Sequence, residues 1–338
     1  MKSIVMTKAA LGLVLALLVP TYGARLDHGA LTGYFAQDPS PEEYAAYKAY
    51  YDANAAKDYA KAMELAKAYV EKFPTGKYAD YLKRWIVQTR GGLFNEALKA
   101  KNTNEMIRLG KEALAANPED LDYLYLLAFG IRGNEILAPT PNYSHAAEAA
   151  DFSRRCIQIL EAGKIPAIVD KTKWNQNQYV SLLYQTLALI DDNGSNVDSA
   201  LENYRKASEL DPNTAFNFFK RGSLVYQNKY QTAVQKYFAF PDADRTADAA
   251  STKPEVKAAL DELNKQADAV IDIWARFMAL TAVKNDFGDA RNQVEKALTE
   301  LYKFRHPDSA DGLQKLIDQY RSVNPPAAAS NTGVAQKP

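Results

Sequence analysis

The sequence predicts an all-α protein, and three observations support this fold class. From Pro39 to Arg321, apolar residues recur every three or four positions, which is the spacing of one face of an α-helix. No stretch combines β-branched and aromatic residues with the strict alternation of a half-buried strand. Helix-start signals are frequent; Ser40-Pro41-Glu42-Glu43, for example, offers a capping serine, a proline at the first helical position and a glutamate at the third.

Similar start signals recur along the chain and divide it into helices. Asn117-Pro118 and Asp211-Pro212 repeat the combination of cap and proline, and Asn102 with Glu105 has the spacing of a capping box. The predicted helices lie near residues 40–55, 58–73, 76–100 (weakened at Gly91-Gly92), 103–116, 118–137, 143–162, 172–190, 197–210, 212–228, 230–240, 254–284, 287–305 and 308–321. The polar stretch 241–253 interrupts the helical spacing and is expected to be a linker.

The N-terminus has the order of a secretory signal peptide. Lys2 and Lys8 precede the apolar run Ala9–Val19, and small residues including Gly23 follow it. A spanning helix needs about 20 apolar residues, so this run is too short to stay in a membrane. We therefore expect cleavage of residues 1–23 near Gly23, export, and no integral membrane segment afterwards.

Two terminal stretches lack helical periodicity. Residues 24–38 are expected to form a flexible N-terminus of the exported chain, and residues 322–338, which include Pro325-Pro326, a disordered tail. Repeats and a C-terminal hairpin are expected between them.

Charge and reactive residues exclude several function classes. Lys and Arg number 41, as do Asp and Glu, so the chain has no net field to hold nucleic acid by counterion release. Its single cysteine, Cys156, cannot form an internal disulfide, which in an exported chain favours the bacterial periplasm, and a buried position is expected for it. The chain has three histidines and no G-x-S-x-G or H-E-x-x-H motif, and no metal, cofactor or catalysis is predicted.

A repeated pattern occupies the second helix of the predicted pairs. Its fullest match is Val197, Ala200, Tyr204, Ala207 and Pro212. Partial matches are Tyr59, Ala62, Ala66, Tyr69 and Pro74; Met106, Gly110, Ala113 and Pro118; Tyr143, Ala146, Ala150 and Ser153; Tyr230, Ala233, Tyr237 and Phe240; and, more weakly, Phe287, Ala290, Val294 and Ala297. Small residues at these positions let neighbouring helices approach closely, and large residues fill the gaps between them.

This pattern resembles the tetratricopeptide repeat (TPR). The resemblance implies a right-handed α-solenoid of antiparallel helix pairs over residues 39–240, with a concave groove lined by the first helix of each pair. The sequence departs from the family pattern through insertions near Gly91-Gly92, at Ala138–Pro141 and at Asp191–Asn193, and through the absence of the family's tryptophan and glycine from the first helices.

The first repeat carries a second resemblance. The run Tyr59–Trp85, with Phe73-Pro74-Thr75-Gly76-Lys77-Tyr78, resembles repeats of bacterial envelope proteins such as the lipoprotein of the outer-membrane barrel-assembly machinery. The anchoring cysteine of that lipoprotein is absent from this chain. The resemblance implies a location in the cell envelope.

Residues 254–321 are expected to form a long helical hairpin and a capping helix. Apolar residues from Val256 to Thr281 and from Phe287 to Phe304 alternate spacings of four and three, as in a coiled-coil seam. A short turn at Lys284–Asp286 favours pairing within the chain. A dimer seam is the alternative, and the exposed start of the first helix is where another subunit could dock to form an oligomer.

The candidate partner-binding residues lie on first helices of the predicted pairs. One group is a basic and aromatic cluster made of Tyr81, Lys83, Arg84 and Trp85. The other follows Trp174 as the amide run Asn175, Gln176, Asn177 and Gln178, whose side chains can donate to and accept from a peptide backbone. The alternatives are a core position for Trp85 and a polar outer face for the amides.

The sequence is therefore interpreted as an exported scaffold or adaptor for protein–protein interaction. Its partners would be proteins or peptides of the cell envelope, bound as a peptide or a helix in the concave groove. One alternative is a cell-envelope enzyme built on a helical solenoid, with a buried glutamic acid in the concavity. Another is a small-ligand or lipid carrier with a closed apolar tunnel.

Overall fold

A computed structural model describes residues 38–246, 253–282, 286–307 and 312–323. All regular secondary structure of these residues is helical, with no strand among them, which confirms the predicted all-α class. The predicted signal peptide 1–23, the predicted flexible residues 24–37 and the predicted tail from 324 onward lie outside the described residues.

The helices follow the predicted order, with two π-helical turns that the sequence did not predict. The α-helices are α1 (Pro41–Ala55), α2 (Tyr59–Lys72), α3 (Ala79–Lys99), α4 (Thr103–Ala116), α5 (Leu121–Ile131), α6 (Ala146–Glu161), α7 (Gln176–Asn193), α8 (Val197–Leu210), α9 (Ala215–Leu224), α10 (Gln231–Phe238), α11 (Pro254–Leu280), α12 (Asp289–Arg305) and α13 (Gly312–Val323). The π turns are Arg132–Ile136 after α5 and Val225–Tyr230 after α9, and the 3-10 turn Asp242–Asp244 follows α10.

Capping side chains set several helix starts. Ser40 Oγ accepts from Glu43 N at 3.1 Å, and Asn102 Oδ1 accepts from Glu105 N at 3.2 Å, as predicted. At Asp211-Pro212 the prediction was wrong by three residues: the Asp211 carboxylate accepts from Asn213 N at 3.1 Å and stabilises a turn, so the helix starts only at Ala215.

The helices pack in chain order and form two layers. From α1 to α9, each helix contacts the one before it and the one after it. Odd-numbered helices also contact each other, as shown by ring-centroid distances of 4.9 Å for Tyr50–Trp85, 5.1 Å for Phe94–Tyr123 and 5.8 Å for Tyr125–Tyr179. Even-numbered helices contact each other through the ion pairs Lys67–Glu112 at 2.6 Å and Lys111–Glu148 at 3.2 Å.

Small residues stand where the helices approach most closely. A Cβ placed on Gly110 of α4 would lie 2.7 Å from Leu127 Cδ1 of α5, and one placed on Gly130 would lie 2.6 Å from Met106 Sδ. The repeat alanines Ala62, Ala66, Ala200 and Ala207 are fully buried. The small residues of the repeated pattern therefore do what the sequence predicts, which is to bring neighbouring helices together.

Residues 215–238 form one helical rod, although the sequence predicts two helices, 212–228 and 230–240, that separate near residue 229. α9 and α10 are joined by the π turn Val225–Tyr230, which contains neither Gly nor Pro to end a helix. Asn228 Nδ2 donates to Leu224 O at 3.1 Å, and Thr232 Oγ1 donates to Asn228 O at 2.8 Å, so side chains bond to one backbone carbonyl just before the turn and to one within it. The predicted fifth helix pair within 212–240 is therefore wrong.

The partner of this rod is α11, which lies beyond the predicted linker 241–253. α9, the π turn and α10 all pack along α11. Val256 and Leu263, in the first half of α11, are buried together with Ala233 and Tyr237 of α10. The predicted exposure is therefore wrong for the apolar face of this helix start, which α10 of the same chain covers.

The C-terminal helices close over the other half of α11. α12 and α13 both pack on α11, where Arg305 Nε pairs with Asp268 Oδ1 at 2.7 Å and the Tyr320 hydroxyl donates to Asp272. The turn predicted at Lys284–Asp286 lies partly outside the described residues. α13 ends at Val323, two residues later than predicted, so residues 322 and 323 of the predicted tail are helical.

Replacing Gly222 with alanine is expected to destabilise the protein. A Cβ at this position would lie 2.4 Å from Trp274 Cδ1 and 3.2 Å from Ile273 Cγ2, and the Trp274 ring is buried. The overpacking should lower the free energy of unfolding by about 1–3 kcal/mol, measured by urea denaturation.

The matched control is Gly92→Ala in α3, where nothing lies within 4 Å of an added Cβ. Because alanine favours the helix more than glycine does, Gly92→Ala should raise the free energy of unfolding by about 0.5–1 kcal/mol. Equal denaturation midpoints for the two variants would contradict the close approach of α9 and α11.

Candidate functional site

Tyrosines of α1, of α3 and of the turn before α3 form an aromatic surface near the start of the described residues. We call Tyr44, Tyr47, Tyr51, Tyr78 and Tyr81 the tyrosine surface. The first three are spaced by three and four residues and so share one face of α1. The side chains of Tyr44 and Tyr51 are 53% and 54% exposed.

Two contacts fix the orientation of the half-buried rings. The Tyr47 and Tyr78 rings are stacked with centroids 3.8 Å apart and planes 12° apart. The Tyr81 hydroxyl lies 3.3 Å from the hydroxyl of buried Tyr50. Burial raises the pKa of Tyr47 above its usual value, so its hydroxyl stays protonated and able to donate at neutral pH.

Trp85 is a core residue, which is the alternative that the sequence left open for it. Its side chain is 7% exposed, and its ring packs edge-on against Tyr50 with centroids 4.9 Å apart. The residue therefore supports the tyrosine surface from below and presents little of itself to a partner.

Arg84 lies one helical turn after Tyr81 and is exposed. Within the described part of the chain, its guanidinium forms no ion pair. The neighbouring Lys83 differs, because its Nζ lies 3.4 Å from Asp80 Oδ1. Arg84 can therefore bind a carboxylate of another molecule through two parallel hydrogen bonds.

The turn that carries Tyr78 is held by the Glu43 carboxylate. Glu43 Oε1 accepts from Lys77 N at 2.7 Å and from the hydroxyl of Tyr69. A Cβ on Gly76 would lie 2.6 Å from Glu43 Oε1 and 2.7 Å from the Tyr69 hydroxyl, so a larger residue here would displace this hydrogen-bonded pair. Burial, assisted by this hydrogen bond, raises the pKa of Tyr69. The Phe73–Tyr78 motif thus docks onto α1 and positions the stacked ring.

The amide run divides into a structural and an exposed part. Asn175 caps α7, with its Oδ1 accepting from Gln178 N at 3.2 Å. Trp174 is half-buried and stacks on Tyr179 with centroids 4.4 Å apart and planes 6° apart. The side chains of Asn177 and Gln178 are exposed and remain accessible to a partner.

The two predicted groups lie in different parts of the structure. Trp85 and Tyr81 pack in the core shared by α1, α2 and α3, whereas Trp174 packs against the core that spans α3 to α7. The chain before Trp174 also covers part of α5, because Asp122 Oδ1 accepts from Ala167 N at 2.6 Å. The structure therefore does not combine the two groups into one site.

The structure reveals a buried polar cluster that sequence reasoning missed. Arg132, in the first π turn, is 6% exposed. Its guanidinium donates to Gln185 Oε1 and to Thr186 Oγ1, the latter at 3.5 Å, and Gln185 Nε2 donates to Asn217 Oδ1 at 2.7 Å. Burial lowers the pKa of Arg132 to about 10. We call Arg132, Gln185, Thr186, Asn217 and the neighbouring Tyr204 the arginine cluster.

A glutamate near the end of the same π turn contacts a histidine that directly precedes α6. His145 Nδ1 is 2.8 Å from Glu135 Oε1, and the Glu135 side chain is buried. This contact attaches the segment before α6 to the turn after α5. The sequence placed His145 near a helix start without a partner, and the structure gives it Glu135 as a partner.

The chain matches no protein-family model and no curated protein. Across the residues that the structure describes, no group of three or more His, Cys, Asp or Glu side chains could hold a metal ion. No helix in that part of the chain is long and apolar enough to cross a membrane.

Asn175→Ala should destabilise α7, whereas Asn177→Ala should not. The first change removes the cap that accepts from Gln178 N and is expected to lower the free energy of unfolding by about 1 kcal/mol. The second removes an exposed side chain and should change it by less than about 0.5 kcal/mol. Urea denaturation compares the two variants, and equal effects would contradict the capping role.

The Cys156 thiol is expected to be unreactive in the folded protein. The side chain is fully buried, and burial raises the pKa of its thiol to about 12, so almost no thiolate forms at pH 8. Labelling with a chromogenic disulfide reagent at pH 8 should be slow in buffer and complete within minutes in concentrated urea. Rapid labelling without urea would contradict the buried position.

Proposed function

We propose that this protein is a scaffold or adaptor of the bacterial cell envelope, built from TPR-like helix pairs, and that it binds a peptide or a helix of a partner protein. Helix packing supports the proposal, since neighbouring helices meet in chain order over small residues such as Gly110 and Ala200. An array of this kind offers a long surface to a partner segment. The signal-peptide pattern of residues 1–23 supports the location.

The tyrosine surface is the observation that carries this proposal. Tyrosine is enriched at the centre of protein interfaces because its ring covers a large apolar area and its hydroxyl can form hydrogen bonds. On this surface the rings of Tyr47 and Tyr78 are already stacked and Tyr81 is already hydrogen-bonded. Binding there would order few additional rotamers, which favours affinity.

Arg84 specifies what kind of partner segment fits. An exposed guanidinium without an ion pair among the described residues stands one turn from Tyr81. A segment that places an apolar side chain on the tyrosines and a carboxylate on Arg84 would satisfy both. We therefore place the partner contact on α1 and α3, and not on Trp85 itself.

The test is chemical crosslinking in the native envelope, followed by mass spectrometry of the proteins linked to the chain. The double variant Tyr51→Ala with Arg84→Ala should reduce recovery of the partner at least tenfold, because it removes an exposed ring and the only group proposed to hold a carboxylate. Tyr59→Ala is the matched control, since Tyr59 is an exposed tyrosine at the start of α2.

Two outcomes would contradict the proposal. One is full recovery of the same partner with the double variant while the protein remains folded. The other is a turnover activity of the purified chain in the absence of any partner, which would favour an envelope enzyme.

A further inference from the structure

Arg132 is a buried cation whose hydrogen-bond partners are all neutral. Its guanidinium donates to the Gln185 carbonyl oxygen and to the Thr186 hydroxyl, and both of these side chains are buried. No described carboxylate lies within ion-pair distance of it. A charge taken out of water in this way is strongly unfavourable unless an opposite charge compensates for it.

Two further donors in the arginine cluster have no acceptor. The Tyr204 hydroxyl and Asn217 Nδ2 are buried and make no hydrogen bond within the described part of the chain. Both side chains are fully buried. Burial keeps the Tyr204 hydroxyl protonated by raising its pKa well above the usual value, and this O–H donor lies near the Arg132 guanidinium. Buried donors of this kind are rare in native proteins and call for an acceptor.

The acidic side chains of this region are engaged elsewhere. Asp192, whose charge also acts on Tyr204, pairs with Lys220 Nζ at 2.6 Å. Glu135 lies on the same π turn as Arg132, but its Oε1 contacts His145. Glu135 Oε2 has no partner among the described atoms and forms no ion pair with Arg132. Within the described part of the chain, no carboxylate therefore pairs with Arg132 to compensate its charge.

We propose that the arginine cluster binds a small inorganic monoanion, chloride in particular, beside Arg132 and within reach of the Tyr204 hydroxyl. Every residue of the cluster is at least nine-tenths buried, so the ligand has to be small and enter without its water shell. An anion satisfies the donors and neutralises the cation at once, whereas a water molecule does only the first. The site joins the turn after α5 to α7, α8 and α9, so the anion would stabilise the middle of the array.

The first test is crystallographic and uses the unaltered full chain. Crystals grown or soaked in sodium bromide should show an anomalous peak at hydrogen-bond distance from the Arg132 guanidinium and the Tyr204 hydroxyl. A well-resolved structure with no anomalous peak at the cluster, whether water or nothing lies there, would overturn the proposal.

The second test is thermal unfolding at constant ionic strength, with chloride exchanged for gluconate, which is too large for the site. Above the dissociation constant, a tenfold rise in chloride should raise the folded-to-unfolded ratio about tenfold. Tyr204→Phe should weaken this dependence, and Arg132→Met should remove it. Arg154→Met is the matched control, because Arg154 is an exposed arginine of α6 and its removal should leave the chloride dependence intact.

An unfolding midpoint of the parent protein that is the same in chloride and gluconate would contradict the proposal, even if Arg132→Met does not fold. An equal chloride dependence in the Arg154→Met and Arg132→Met variants would also contradict it. The inference is independent of the proposed partner, because the tyrosine surface and the arginine cluster share no residue.

Discussion

The structure depends on close contact between neighbouring helices at positions where a side chain is small or absent. Gly110 faces Leu127 and Gly130 faces Met106 across the contact of α4 with α5, and Gly222 faces Trp274 across the contact of α9 with α11. Because each helix is packed on the next, the spacing at one contact sets the position of the helices that follow. Close packing of the first three helices likewise brings tyrosines from α1 and α3 onto one surface.

Local signals predicted much of the fold. Helices 103–116 and 197–210 have the predicted bounds, since residues at their ends mark where the chain enters and leaves the helix. The errors concern features without a local signal. Nothing in Val225–Tyr230 distinguishes a turn between two helices from a π turn within one rod. The start of α11 is covered by α10. This pairing depends on contacts between segments that the polar stretch 241–253 separates, and no local signal predicts it.

The same distinction applies to the two candidate sites. Helical spacing placed Tyr81 and Arg84 on one helix, but the burial of Trp85 follows from Tyr50, which belongs to another helix. The tyrosines of α1 could have been found from their spacing of three and four residues. The arginine cluster could not, because Gln185 and Asn217 come from segments far along the chain. A solitary arginine at the end of the apolar run Leu121–Ile131 was the available clue.

The rod from Ala215 to Phe238 and α11 form one unit although residues 241–253 separate them in the chain. A fragment of the protein that ends at residue 240 would contain α9 and α10 but lack α11, which covers their apolar side. That side carries Phe218, Phe219 and Val225, which would then face water and favour self-association of the fragment. The natural place to divide this protein is therefore not the polar stretch that looks like a domain boundary.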